Sequence, residues 1–169
     1  MTEKTENVEI QESKEINMDK KVEIKNLCAW DLYFDRIETN GTVKIPRNGR
    51  TRLSRAEIQA QVYGNNVLFV GVDGEGSHAR VFINDKDTRV MLGFDGEDGK
   101  KTQVVLDSNI IKTLLEYKTM KAFEKNVKDK VKTVAEKNFL IEEAKRQKLN
   151  DYDKISFIEE YTGYKFDIN

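Results

Sequence analysis

The chain holds one histidine, His78, and one cysteine, Cys28, and the chemistry that this pair could do is acyl transfer or metal binding. Acyl transfer needs a nucleophile held beside a base that a third group orients. Neither residue has a partner evident in the sequence. Cys28 follows a β-forming run and reads as a small buried side chain, and His78 ends the glycine-rich stretch Asp73-Gly74-Glu75-Gly76-Ser77, where an exposed loop histidine is expected. Structural zinc needs about four nitrogen or sulfur ligands, which one cysteine and one histidine cannot supply within a single chain. Gly71 to Ser77 has the look of a phosphate cradle, but it lacks the Lys-Ser/Thr ending and a β-forming run follows where a helix N-terminus is required. Asp73, Glu75, Asp85 and Asp87 depart from the twelve-residue calcium-loop pattern and read as solvated charges. The 30 acidic residues offer many chance carboxylate pairs, so none is singled out. No catalytic residue, cofactor or metal is expected.

Binding chemistry is better represented. Arg47, Arg50, Arg52 and Arg55, with Lys44 just before them, lie in a stretch from Lys44 to Ala56 that has no acidic residue. Guanidinium forks on a rigid turn and strand match carboxylate and phosphate geometry. This cluster is the expected partner-binding site. The plain alternative is a solvated strand face that guards an edge against aggregation. A second basic surface is expected at Lys121, Lys125, Lys128 and Lys132, whose spacing places them on one helical stripe. No aromatic residue alternates with these lysines, which argues against base stacking on a single strand.

The elements that position these residues follow from hydrophobic period. Val22, Ile24 and Asn26 alternate with charges, Leu32 to Ile37 is rich in aromatic and branched side chains, and Thr42 to Ile45 is a third strand. Pro46-Arg47-Asn48-Gly49 supplies turn chemistry before the strand Arg50 to Leu53. Ser54 precedes Glu57 by the capping-box spacing, which predicts a helix from Arg55 to Val62 closed by Gly64. Val67 to Val72 and Ala79 to Ile83 read as a hairpin, and Asp85 to Phe94 fits either a strand or a helical turn. Beyond Gly99 the period becomes helical. Asp107, Thr133 and Asp151 stand at N-cap positions, Gly163 at a C-cap, and Phe123, Val127, Val131 and Val134 form an apolar stripe on a helix that either stops before Thr133 or continues through it.

These readings predict an α+β protein: an arm over residues 1–20, a β-rich unit over 21–94 of SH3-like or OB-like barrel type, a charged glycine-containing linker over 95–102, and a helical bundle or hairpin over 103–169. The arm is polar and mixed in charge, so it is expected to be flexible and not to be a secretory signal. No apolar run approaches the roughly 20 residues of a membrane span. The lone cysteine fits a reducing compartment, and a cytoplasmic location is expected. Charged residues make up 35 % of the chain, yet 29 basic and 30 acidic side chains leave a net charge of −1, so attraction to nucleic acid could come only from local clusters.

The run KNLCAWDLYFDRIETNGTVKIPRNGRTRLSRAEI, with its aromatic strand, Ile-Pro turn and capped helix, resembles the small β-domains of virion-associated proteins in tailed bacteriophages. The resemblance covers residues 21–94 and brings no site residues with it. It implies an auxiliary capsid, connector or packaged structural protein that binds other virion subunits in many copies. The bottom-up expectation is compatible and coarser: a non-enzymatic structural or assembly protein, with a nucleic-acid-binding accessory protein as the alternative.

Overall fold

The computed structural model describes residues 15–166, with strands concentrated in the first part of the chain and helices in the second. Strand β1 (Lys21–Asn26) is central and antiparallel to both neighbours, β4 (Arg50–Ser54) and β5 (Val81–Ile83). Its period of two sends Val22 and Ile24 into the core, opposite Leu53 and Thr51 of β4, and leaves Glu23 and Lys25 on the other face. Strands β2 (Leu32–Asp35) and β3 (Thr42–Ile45) form a separate two-stranded hairpin. The two sheets do not close into one barrel among the described residues, but they share one core in which Phe34 meets Phe69 edge-to-face at 5.2 Å. Trp30 packs against this core, while Tyr33 points outward with the Lys44 ammonium over its ring.

Fully buried Asn26 ties the sheets together. Its side-chain amide donates to the carbonyls of Trp30, Ile45 and Pro46, and its oxygen accepts from the N–H of Cys28 at 2.7 Å. Each donor and acceptor of a buried amide needs such a partner, because an unpaired one costs about 1–3 kcal/mol.

Helix α1 (Arg55–Tyr63) begins at Ser54, whose hydroxyl accepts from the Glu57 N–H, and closes at Gly64. The reciprocal half of the expected capping box is absent. Glu57 instead accepts from the N–H groups of Ile37 and Glu38 at 2.8 and 2.9 Å and from the Gln61 amide, fastening α1 to the end of β2. Burial pushes its acidity toward the neutral form, and these donors outweigh burial and hold its carboxyl below the ordinary value.

The expected hairpin between Val67 and Ile83 does not form. Val67–Val70 is a short helix, α2, capped by the Asn66 side chain, and β5 pairs with β1 instead. A four-residue apolar run has no period that separates strand from buried helix, and here the core decides: α2 inserts Phe69 and Val70. Gly71 enforces the tight return, since a Cβ there would meet the Ser77 carbonyl oxygen at 2.0 Å. Helix α3 (Lys86–Met91) settles the ambiguous stretch as helical, with Asp85 as its cap.

The segment from Asp95 to Gln103 is anchored at both ends. Asp95 accepts from Arg89 and from the Gln103 N–H, and between them Gly96 donates to the Lys101 carbonyl. Helices α4 (Ser108–Leu115), α5 (Met120–Lys130), α6 (Val134–Arg146) and α7 (Tyr152–Thr162) then enclose a second core around Ile111, Phe123, Leu140 and Ile158. Thr133 and Glu136 form both halves of a capping box, which stops α5 before Val131 and restarts the chain as α6. Val134, expected in the apolar stripe, is outward, and so is Tyr152. Val134 is 69 % exposed and Tyr152 is 80 % exposed, each being the first residue of its helix, where the inward face has not begun. Gly163 adopts the left-handed cap. No helix among the described residues is long and apolar enough to cross a membrane.

The arm expected over residues 1–20 lies outside the described residues up to position 14. Its last part is tied down: Met18 and Lys20 carbonyls accept from the N–H groups of Ala56 and Arg55 at the start of α1. These bonds extend the β1–β4 ladder by one step, so the chain is ordered before the hydrophobic alternation begins.

Candidate anion-binding face

Alternation in β4 decides where its charges go. Leu53 turns into the core, so Arg50 and Arg52 project from the opposite face of the sheet, both exposed. On that face Arg52 stands opposite Glu23, Arg50 opposite Lys25, and Lys25 opposite Phe82 of β5. The Arg50 guanidinium donates to Glu23 at 3.3 Å and the Asn84 amide donates to the same oxygen at 3.0 Å. Arg89 covers the Phe82 ring at 5.0 Å while its Nε donates to Asp95.

Beside this face a cleft of about 260 Å³ is lined by Glu23, Lys25, Arg50, Phe82, Asn84 and Asp107, among others. The Asp107 carboxylate is occupied in capping α4, accepting from the Ile110 N–H at 2.8 Å. Lys25, Arg50 and Arg52 therefore face Glu23 as their near carboxylate, and the face carries a cationic excess with one aromatic floor. Its chemistry is recognition of carboxylates or phosphates by forked donors.

Folding splits the four-arginine cluster. Arg47 is exposed in the turn between β3 and β4, its N–H donating to Asp31, and it lines a different cleft, of about 360 Å³, with Glu142, Glu143 and Arg146 of α6. Asp31 also receives the Lys44 ammonium at 2.9 Å, and this donor leads the group that holds the Asp31 carboxyl below its ordinary range. Arg55 is withdrawn from the surface that Arg50 and Arg52 share. It is 4 % exposed, and its guanidinium donates to Thr88 Oγ1, to the Asn17 carbonyl and to Asp85 at 2.7 Å. The run without acids in the sequence meets Asp31, Glu23 and Asp85 only in space.

The lysine stripe is divided as well. Lys121, Lys125 and Lys128 are exposed on α5, and Lys128 also covers the Phe157 ring at 5.5 Å. Lys132 lies beyond the helix end, where its N–H donates to Glu136. Among the described residues no carboxylate forms an ion pair with any of these four ammonium groups.

His78 is not the exposed loop residue expected. Its Nδ1 lies 2.6 Å from Glu136 Oε1, with the two side chains only 14 % and 8 % exposed, and its backbone N–H donates to the Val104 carbonyl. Glu136 thereby serves three partners, the histidine and the N–H groups of Lys132 and Thr133, and joins the loop before β5 to α6. Cys28 lines the same small cavity. Burial pushes its thiol up to about 11, so the sulfur is protonated at neutral pH and inert as a nucleophile. Among the described residues no hydrogen bond joins it to His78. Asp73, Glu75 and Asp85 are likewise dispersed, to the loop's own amides, Lys101 and Arg55, and no group of three metal-ligating side chains comes together among the described residues.

The sequence signal for Arg50 and Arg52 was their alternation. The spacing of Thr133 and Glu136 announced the capping box, whereas the contact of Glu136 with His78 and the bonds of Asn26 to Ile45 and Pro46 join residues 19 to 58 positions apart and left no signal in the sequence. No family model matches the chain, and neither a curated protein nor a solved structure does.

Proposed function

We propose that the protein is a non-enzymatic structural or assembly protein whose β-rich unit, a partly open barrel of SH3-like or OB-like type, docks on acidic surfaces of other protein subunits. The observation that carries this reading is the pair Arg50 and Arg52, exposed side by side on β4, an edge strand, with Lys25 beside them. The helical unit offers a second contact. The resemblance of residues 21–94 to virion-associated proteins of tailed bacteriophages supports the reading that this assembly is a virion, which the protein would join in many copies after synthesis in the cytoplasm.

A second reading, binding to nucleic-acid backbone, draws on Lys121, Lys125 and Lys128, which are exposed along one helix. The two readings differ in their response to salt. Arg50→Glu with Arg52→Glu should keep the fold and slow association with the protein assembly, chiefly through the on-rate. Unchanged binding at low salt sinks the assignment. Binding to duplex DNA with a log–log salt slope near −0.9 per phosphate, lost on neutralising the three lysines, favours the second reading instead.

A further inference from the structure

Strand β4 pairs on one side only, with β1, and its outer edge has no strand beside it among the described residues. The bonds from the Arg55 N–H to the Lys20 carbonyl at 3.1 Å and from the Asn26 N–H to the Gly49 carbonyl at 2.8 Å set the phase of the β1–β4 ladder. In an antiparallel pair this phase turns the backbone groups of Thr51 and Leu53 toward β1, and those of Arg50 and Arg52 away from it. No described residue hydrogen-bonds the N–H or C=O of either arginine. Two donors and two acceptors therefore stand in a row as a template for one more strand.

The side chains flanking this row select what can pair there. Lys21, Lys25, Arg50 and Arg52 lie on one face of β1 and β4 with a single carboxylate, Glu23, between them. Arg50 is the one of these four cations that is ion-paired among the described residues, at 3.3 Å, and it shares the Glu23 oxygen with the Asn84 amide. Like charges directly opposite each other destabilise a pair of strands, so the edge disfavours the β4 of a second copy, which carries no acid. Residues opposite each other in neighbouring strands project on the same face, so carboxylates at alternate positions of an incoming strand would meet both arginines. Between them, half-buried Thr51 turns to the core side, where an uncharged residue fits.

We propose that the outer edge of β4 takes up an extended acidic segment of another protein subunit as a further antiparallel strand, with one carboxylate residue opposite Arg50, a second opposite Arg52 and an uncharged residue opposite Thr51. Main-chain bonds supply the affinity and the arginines choose the sequence. The inference rests on the docking function proposed above and gives the partner its form.

The probe is a blocked pentapeptide of alternating valine and glutamate, titrated into the full chain. In the proposed pairing the glutamates turn their own N–H groups toward β4 and the central valine turns its N–H away. N-methylation of both glutamates should weaken binding at least about ten-fold, and N-methylation of the central valine should leave it unchanged. In the free chain the Arg50 and Arg52 amides should exchange with solvent faster than those of Thr51 and Leu53, and saturating peptide should slow them about ten-fold or more. Arg50→Glu with Arg52→Glu should abolish binding of this peptide and confer binding of its valine–lysine counterpart, while slow exchange at Thr51 and Leu53 shows that the sheet is intact. No binding at millimolar peptide, arginine amides already protected in the free chain, or indifference to glutamate N-methylation overturns the added strand. Equal binding of plain and N-methylated peptides, both lost on charge reversal, would leave the docking function standing without the strand. Slowed exchange at both arginines, with association to the assembly unaltered by charge reversal, would do the opposite.

Discussion

At the scale of single residues, Arg55 shows what a buried cation costs and returns. Its guanidinium is withdrawn from water, and Asp85, Thr88 and the Asn17 carbonyl replace the lost hydration. Burial raises the Asp85 carboxyl, but donors from Thr88, Arg55 and Lys20 reverse this and hold it well below the carboxylate range. A depressed folded-state value means that the stabilisation is complete above the unfolded value of about 3.9 and is lost as pH falls through the folded one. Arg55→Met should cost about 3 kcal/mol in urea unfolding, because it removes the buried one of the two cations that face Asp85 and leaves Lys20 and Thr88 as its partners. The variant should also lose much of the stability change between about pH 5 and about pH 2. Arg52→Glu, altered at an exposed position in the preceding strand β4, should unfold within about 0.5 kcal/mol of the parent.

At the scale of elements, the break between α5 and α6 rests on Thr133 and Glu136. The Thr133 hydroxyl accepts from the Glu136 N–H at 3.1 Å, and the Glu136 carboxylate returns to two backbone N–H groups while also meeting His78. Thr133→Ala removes one acceptor and should cost about 1 kcal/mol. Glu136→Ala leaves two N–H groups and a histidine without their partner, so its cost should be larger, about 2–3 kcal/mol. Chemical denaturation of both variants checks the order. Equal costs would mean that the contact with His78 contributes nothing.

At the scale of the whole molecule, one core is built by the strands with α1 and α2, and another by α4 to α7. Ala135 of α6 reaches the first core, and the His78–Glu136 contact lies beside it. The segment between the cores is held by Asp95 and Gln103, but its middle, Glu97 to Thr102, is exposed. Brief trypsin treatment should therefore cut at Lys100 or Lys101 before it cuts at Arg80, and mass spectrometry of the fragments reads the order. First cleavage at Arg80 would mean that the stretch from α2 to β5 opens more easily than the loop.

Local signals were legible in the sequence alone. Ser54, Asp107, Thr133, Asp151 and Gly163 act through bonds to residues within four positions, so each helix end that they define was available from spacing, as was the strand period of Val22 and Ile24. What only the tertiary structure decided was every outcome set by distant residues. Val67–Val70 had no period to declare it helical, and its fate followed from the space that Phe69 fills against Phe34. The arginine cluster had uniform chemistry along the chain. It was divided by where Asp85, Asp31 and Glu23 arrive in space, which leaves Arg50 and Arg52 on an open edge and withdraws Arg55 into the core, because a charge is accessible or buried only with respect to a surface that folding creates.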